Sequence, residues 1–198
     1  MPNKVKDFYT ANNHYDWITD VKFPESLLHN RRTSTIQQKL QAYSVRDVLD
    51  VGCGTGFITR VLPGKVTGLD IDSWKLERAK QHCPTAKFVL GDAEELLYNE
   101  EFDTVVCTDT LEHLEKPNSV IQGIYRALKS KGIFVGLVPS NSVVWKFRRF
   151  LSHSDASKEP FHHNYTAKQL QQLLTDFEIL EISRQCLGLE LFFAARKV

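Results

Sequence analysis

The chain has 198 residues, of which 42% are hydrophobic, 25% charged and 11% aromatic, a composition that suits one globular domain and excludes disordered and fibrous architectures. Its 25 Lys and Arg against 24 Asp and Glu leave a formal charge of +1, so no global field holds it on nucleic acid. No apolar run reaches the roughly 20 residues that span a bilayer, no apolar signal region opens the chain, and four cysteines without a Cys-x-x-Cys pair fit a reducing cytoplasm.

The first 44 residues carry Phe8, Tyr9, Tyr15 and Trp17 and lead into a helix expected through Leu27–Leu40. This segment reads as a cap on a core that starts later. From Val45 the pattern is strand (Asp47–Val51), glycine-rich turn and helix, strand (Lys65–Asp70), then a helix that Asp72 caps and Pro84 ends. A third strand (Lys87–Leu90) and a fourth (Phe102–Cys107) follow. The next helix has Pro117 at its first turn, Val120, Ile121, Ile124 and Leu128 on one face, and Gly132 beyond its end. A fifth strand, Ile133–Val138, stops at Pro139. Strands alternating with helices predict a parallel sheet covered on both faces, because parallel neighbours need crossover connections. Residues 140–165 read as an irregular, partly helical excursion, and Thr166 to Gln169 is expected to start a capped helix. Two last strands, Glu178–Ser183 and Glu190–Arg196, are joined through Gly188 and are expected to pair as an antiparallel hairpin.

The chemistry is concentrated in Val48-Leu-Asp-Val-Gly-Cys-Gly-Thr-Gly56. Glycines 52, 54 and 56 directly after a buried strand allow close approach of backbone and ligand, and a following helix would present free N–H groups there. Eighteen residues after Gly52 the second strand ends at Asp70, placing a carboxylate where it can accept from a ribose diol. Asp92 follows the third strand, either accepting from an exocyclic amine or capping the turn at Ala93. Asp50 lies inside the first strand, where a carboxylate needs loop N–H groups or a ligand ammonium; bracing and direct contact are both open. Cys53 and Cys107 read as core-filling thiols.

These motifs resemble the class I S-adenosylmethionine-dependent methyltransferases from Asp47 to Val138. The glycine motif matches that family's first motif, Asp70 its ribose-binding acid, Gly91-Asp92-Ala93 its adenine segment, and Phe102 to Leu114 its fourth-strand motif. The resemblance implies a Rossmann-like α/β fold: a seven-stranded, mostly parallel sheet with helices on both faces and an antiparallel C-terminal hairpin. It divides the single domain into a helical cap (1–44), a cofactor-binding core (45–139 and 176–198) and a lid-like insertion (140–175). It also implies S-adenosylmethionine as cofactor, held by Asp50, Gly52, Cys53, Gly54, Gly56, Asp70, Ile71, Asp92, Ala93 and Thr108. The cadence Cys107 to Leu114, then Pro139-Ser-Asn141, then His163, is similar to ubiquinone-biosynthesis O-methyltransferases and related enzymes acting on lipid or sugar acceptors. On that likeness Arg32, or neighbouring Arg31, would bind the cofactor carboxylate through a bidentate contact. The glycine loop departs from that sub-family at Thr55, where another Gly is usual.

Methyl transfer from a sulfonium is an in-line displacement in which orientation and desolvation supply much of the acceleration. A hydroxyl or amine acceptor also needs a base. Asp109, Glu112 and His113 have spacing that puts all three on one face of a helical turn, serving as base, as local brace or as ligands of a divalent metal. His162, His163 and Tyr165 precede the capped helix over the same edge as further acceptor-site candidates. Asp109, His113 and His163 are the candidate catalytic groups. Trp145-Lys-Phe-Arg-Arg-Phe150 interleaves aromatic and basic residues, fitting a lid helix or a peripheral contact with an anionic membrane. The expected acceptor is a small molecule or lipid-like compound. Two other classes compete: a non-catalytic cofactor-binding adaptor, and a nicotinamide-dependent oxidoreductase through Tyr125-x-x-x-Lys129. The latter pair precedes the fifth strand instead of following it, and the glycines run G-x-G-x-G without the wider dinucleotide spacing.

Overall fold

The computed structural model describes residues 8, 15–23, 25–142 and 161–198. The segment Trp145–Phe150, expected as a lid helix, lies outside them. Seven strands form one sheet: β1 (Asp47–Val51), β2 (Lys65–Asp70), β3 (Lys87–Leu90), β4 (Phe102–Thr108), β5 (Leu128–Pro139), β6 (Phe177–Gln185) and β7 (Glu190–Lys197). Their order is β3-β2-β1-β4-β5-β7-β6. The pairs among β1 to β5 are parallel, while β7 runs against both β5 and β6. Chain order reverses between β1 and β4, so the crevice at their carboxyl ends is where such a sheet binds ligands.

Among the described residues, four α-helices accompany the sheet: α1 (Glu25–Leu40), α2 (Ser73–His82), α3 (Pro117–Ala127) and α4 (Ala167–Leu173). Local chemistry sets their ends. Asp72 accepts the N–H groups of Trp74 and Lys75 at the start of α2, and Thr166 with Gln169 closes a reciprocal capping box on α4. Val120, Ile121 and Ile124 of α3 pack with Leu49, Val105, Phe134, Leu170 and Leu174 in one core layer. Ile36 and Leu40 of α1 pack with Val48, Ile58, Val106, Val135 and Phe192 in another. Residues near the N-terminus thus enter the hydrophobic core, each such buried side chain contributing about 1.5–3 kcal/mol. The nearly unbroken burial along β1 and β4 follows from the two-sided covering.

Two elements differ from the sequence expectation. Between β1 and β2 there is no α-helix, only one 3-10 turn, Thr59–Val61. Pro63 ends it, and Gly64 turns back at φ +82°, with the Lys65 N–H donating to Arg46 O at 2.6 Å. In addition, Leu128 opens β5 and does not extend the α3 face: α3 ends at Ala127, and Leu128 pairs with Phe102 across a register shift before Thr104. Lys131 at φ +60° absorbs that irregularity. The C-terminal hairpin forms as expected, its strands joined by a short 3-10 turn, Cys186–Gly188. Among the described residues, no helix is long and apolar enough to cross a membrane.

Candidate active site

The three glycines after β1 have separate tasks. Gly52 (φ +74°) lies under Thr110, whose Oγ1 would stand 2.2 Å from an added Cβ. Gly56 packs against Cys83 and Ala79 of the α2 region. Gly54 (φ +53°) has no atom within 4 Å of its missing Cβ. Its empty side therefore faces open space at the carboxyl edge, which a ligand can occupy and a side chain would fill. With the expected helix reduced to one 3-10 turn, this site rests on the turn's own N–H groups and the flanking acids.

Asp70 ends β2 and is buried; its Oδ2 accepts the Gly54 N–H at 2.8 Å and its Oδ1 the Asp72 N–H at 2.9 Å. Burial pushes its carboxyl above the usual range, while Lys75 and the two N–H groups oppose that shift. Each oxygen keeps a lone pair for a ligand hydroxyl. Asp50 is buried near the carboxyl end of β1 and accepts from Thr59 Oγ1 at 2.6 Å. Burial raises its pKa to about 7, with the Thr59 bond pulling it down and Asp70 pushing it up. Asp50 therefore braces the turn through Thr59, a partner the sequence reading did not name. Asp92 caps the Ala93–Glu95 turn, its Oδ1 accepting the Glu94 N–H at 2.9 Å. Cys53 and Cys107 are buried thiols, both held protonated mainly by burial. Thr108 ends β4, and Ile71 follows β2 on the same edge.

After β4 the chain departs from the expected helical face. Asp109 takes φ +48° and stands outside the 3-10 turn Leu111–His113. It therefore does not share a helical face with Glu112 and His113. Its Oδ2 pairs with Arg32 Nη1 at 3.0 Å, while Arg32 Nε donates to Glu190 Oε1. Arg32 is largely buried, and although burial opposes its charge, Asp109 and Glu190 raise its pKa further. With Nε and Nη1 both engaged, a bidentate hold on a ligand carboxylate would require Asp109 or Glu190 to release; Nη2 is left for a single bond.

Glu112 is buried, and burial raises its pKa to about 8 against the opposing effect of His113, whose Nε2 lies 3.9 Å from Glu112 Oε1. His113 and His162 stand with ring centroids 5.4 Å apart. The exposed His163 donates its backbone N–H to Glu112 O at 2.8 Å, and the buried Tyr165 hydroxyl donates to Leu111 O at 3.1 Å. A bridge between Ser140 and Tyr165 ties residues 161–165 to the end of β5. The structure so brings Arg32, Asp109, Glu112, His113, His162 and Tyr165 to one edge. Among the described residues, no group of three or more His, Cys, Asp or Glu side chains is arranged to hold a metal ion. Glu190 escaped the sequence reading; the available signal was an acid opening an otherwise apolar strand. A cleft lined by Tyr43, Arg46, Asp103, Lys129 and Gly132 opens at the opposite edge of the sheet.

A family model described as a methyltransferase domain matches residues 49–136. A ubiquinone biosynthesis O-methyltransferase from Haemophilus ducreyi is 36% identical over 134 residues, covering 61% of this chain and 57% of that protein. A malonyl-[acyl-carrier protein] O-methyltransferase from Priestia megaterium is 24% identical over 187 residues, covering 88% of this chain and 64% of that protein. The chain thus spans less than two thirds of the length of these curated relatives. Magnesium protoporphyrin IX methyltransferase from Synechocystis, solved with bound SAH (S-adenosylhomocysteine), matches with a TM-score of 0.76 at 18% identity over 98% of both chains, a likeness of fold.

Proposed function

We propose, on the premise that this chain belongs to the class I S-adenosylmethionine-dependent methyltransferases, that it methylates an oxygen of a small-molecule or lipid-linked acceptor. The observation that carries the cofactor half of this reading is the open side of Gly54 beside a buried Asp70. S-adenosylmethionine, when bound, supplies a methyl group on a cationic sulfonium. Asp70 would hold a ribose hydroxyl, and Asp92 and Ala93 would border the adenine, with Ile71 between them in sequence. Arg32 would give its Nη2 to the carboxylate, while Thr108 and Asp109 border the methionine end. An edge crowded with carboxylates is complementary to a cation.

Two relatives named as O-methyltransferases support oxygen as the acceptor atom. His113, set beside Glu112, is the candidate to receive the acceptor proton; Asp109 is held by Arg32, and His163 lies farther out on the exposed rim. Contact of Trp145–Phe150 with an anionic lipid surface remains part of this proposal. The test is calorimetry with S-adenosylmethionine and with NAD, followed by measuring SAH release with phenols and the matched anilines. Binding of the first cofactor alone, with release confined to phenols, is expected. Binding of NAD, or release with anilines instead, overturns the reading.

A further inference from the structure

The amino edge of the sheet, away from the glycine turn, holds a cleft of about 510 Å³, within the usual size of small-molecule sites. Its walls come from the loop before β1, the starts of β1, β4 and β5, and the end of β7. The parallel strands begin here, and β7, running the other way, ends beside them, with Arg196 in register with Ile133. The fold thus gathers Arg46, Lys129, Lys131 and Arg196 around one hollow, although the whole chain carries a formal charge of only +1.

Two carboxylates line the same cleft, and both are engaged. Asp103 accepts the Arg46 N–H at 2.9 Å and the Asp47 N–H at 2.8 Å, one on each oxygen, so peptide groups satisfy it and the cations stay free of it. Asp47 accepts from Lys129 Nζ at 2.7 Å; that bond first, with Lys65 and Arg46 adding their fields, holds the Asp47 carboxyl below its usual range. Arg196 pairs with Glu178 at 2.9 Å. The Arg46 guanidinium and the Lys131 ammonium have no hydrogen-bond or ion-pair partner among the described residues. Lys131 also stands at φ +60°. The register shift between β4 and β5 accounts for that left-handed turn but not for lysine in it, since glycine or asparagine adopts the conformation with less strain. Gly132 beside it is buried, and an added Cβ would stand 2.9 Å from Lys129 O and 3.2 Å from Asp103 O. The turn that carries Lys131 is therefore packed directly on β4, and the cation is held at the cleft.

We propose that this cleft binds a phosphorylated small molecule, at a site separate from methyl transfer. Arg46 offers a planar fork, Lys131 a point charge, and Ser44 and Ser130 hydroxyl donors on the same lining. A phosphate ester brings three acceptor oxygens and more than one negative charge to meet them, where a carboxylate brings two oxygens and one charge. A nucleic-acid backbone fits less well, because it calls for an extended basic track and these cations are confined to one hollow. The cleft and the Gly54 turn lie at opposite ends of β1, so the two ligands do not compete.

The experiment titrates the full chain with pyrophosphate by calorimetry at low ionic strength, where surface charge is least screened, with and without saturating SAH. Pyrophosphate is expected to bind equally in both, and at least about tenfold more tightly than acetate. Arg46→Gln with Lys131→Gln should weaken it at least about tenfold, the loss of charge-assisted hydrogen bonds. Lys80→Gln with Lys168→Gln removes the same charge from exposed positions on α2 and α4 and should change it less than about twofold. If thermal unfolding shows the cleft pair not to fold, Lys131→Gly, which suits the left-handed turn, should still weaken binding several-fold. Sedimentation with vesicles of equimolar phosphatidylcholine and phosphatidate identifies the source of the phosphate: binding that the cleft variant loses assigns it to a lipid headgroup, and no binding assigns it to a soluble ester, the phosphate site standing in either case. No pyrophosphate binding, equal affinity for acetate, an equal loss in the surface control or competition with SAH overturns the proposal. So does tighter binding of a duplex oligonucleotide that the cleft variant abolishes, which would make this edge a nucleic-acid surface.

Discussion

The Gly54 N–H donates to Asp70 Oδ2 at 2.8 Å, so the acid proposed to receive a ribose also fixes the turn that the ribose would cross. On the proposed reading, holding the loop and binding the ligand are two uses of one buried carboxylate. Removing it should disturb both.

Asp70→Ala should therefore weaken S-adenosylmethionine binding by about 1.5–3 kcal/mol, the value of charge-assisted hydrogen bonds, corresponding to roughly ten- to hundredfold in affinity. Calorimetry checks it, and unchanged affinity would remove Asp70 from the site.

Gly52 and Gly54 should respond differently. An added Cβ at Gly52 would stand 2.2 Å from Thr110 Oγ1, whereas at Gly54 it meets nothing within 4 Å. Gly52→Ala should lower the melting temperature more than Gly54→Ala, whose backbone penalty is about 1–2 kcal/mol. Gly54→Val should leave a folded protein that does not bind cofactor. Thermal unfolding with parallel calorimetry distinguishes the two; retained binding in Gly54→Val would make the loop a purely structural turn.

Stability should depend on pH through Asp50. Its carboxyl is raised by burial from 3.8 to about 7 in the folded protein, so between these values the native state binds more protons than the unfolded chain. The slope of unfolding free energy against pH is then negative. Stability is full below about pH 4 with respect to this group and is lost as pH rises through about 7, by a few kcal/mol. Glu112, raised by burial to about 8, adds a loss of the same sign that extends slightly higher. Denaturant titrations from pH 5 to 8 should show the decline, and Asp50→Asn should flatten it.

Arg32→Met should destabilise the protein strongly, by about 3–5 kcal/mol, because it leaves Glu190 and Asp109 without their shared cation. The triple change to Met at 32, Gln at 190 and Asn at 109 should recover much of that loss. Chemical denaturation at constant pH measures both, and a small effect of Arg32→Met alone would mean that the buried cluster tolerates an unpaired carboxylate.

Where the chemistry is local, the sequence determined the outcome. Apolar runs bounded by turn residues fixed β1 and β2 to the residue, Asp72 and Thr166 defined helix starts through their own side chains, and the glycine spacing located the turn. These features depend on near neighbours, so a linear pattern carries them. Tertiary structure decided what depends on distance. The glycine turn is followed by one 3-10 turn because Pro63 and Gly64 must return the chain to β2 in register with β1. Asp109 leaves the helical face of Glu112 because its partner is Arg32, 77 positions earlier in the chain. Glu190, an unremarkable acid in sequence, met Arg32 only when β7 inserted antiparallel beside β5 and delivered its first residue to the carboxyl edge. Buried charge is satisfied by whatever the fold brings within a few ångströms, and no spacing in the chain encodes that encounter.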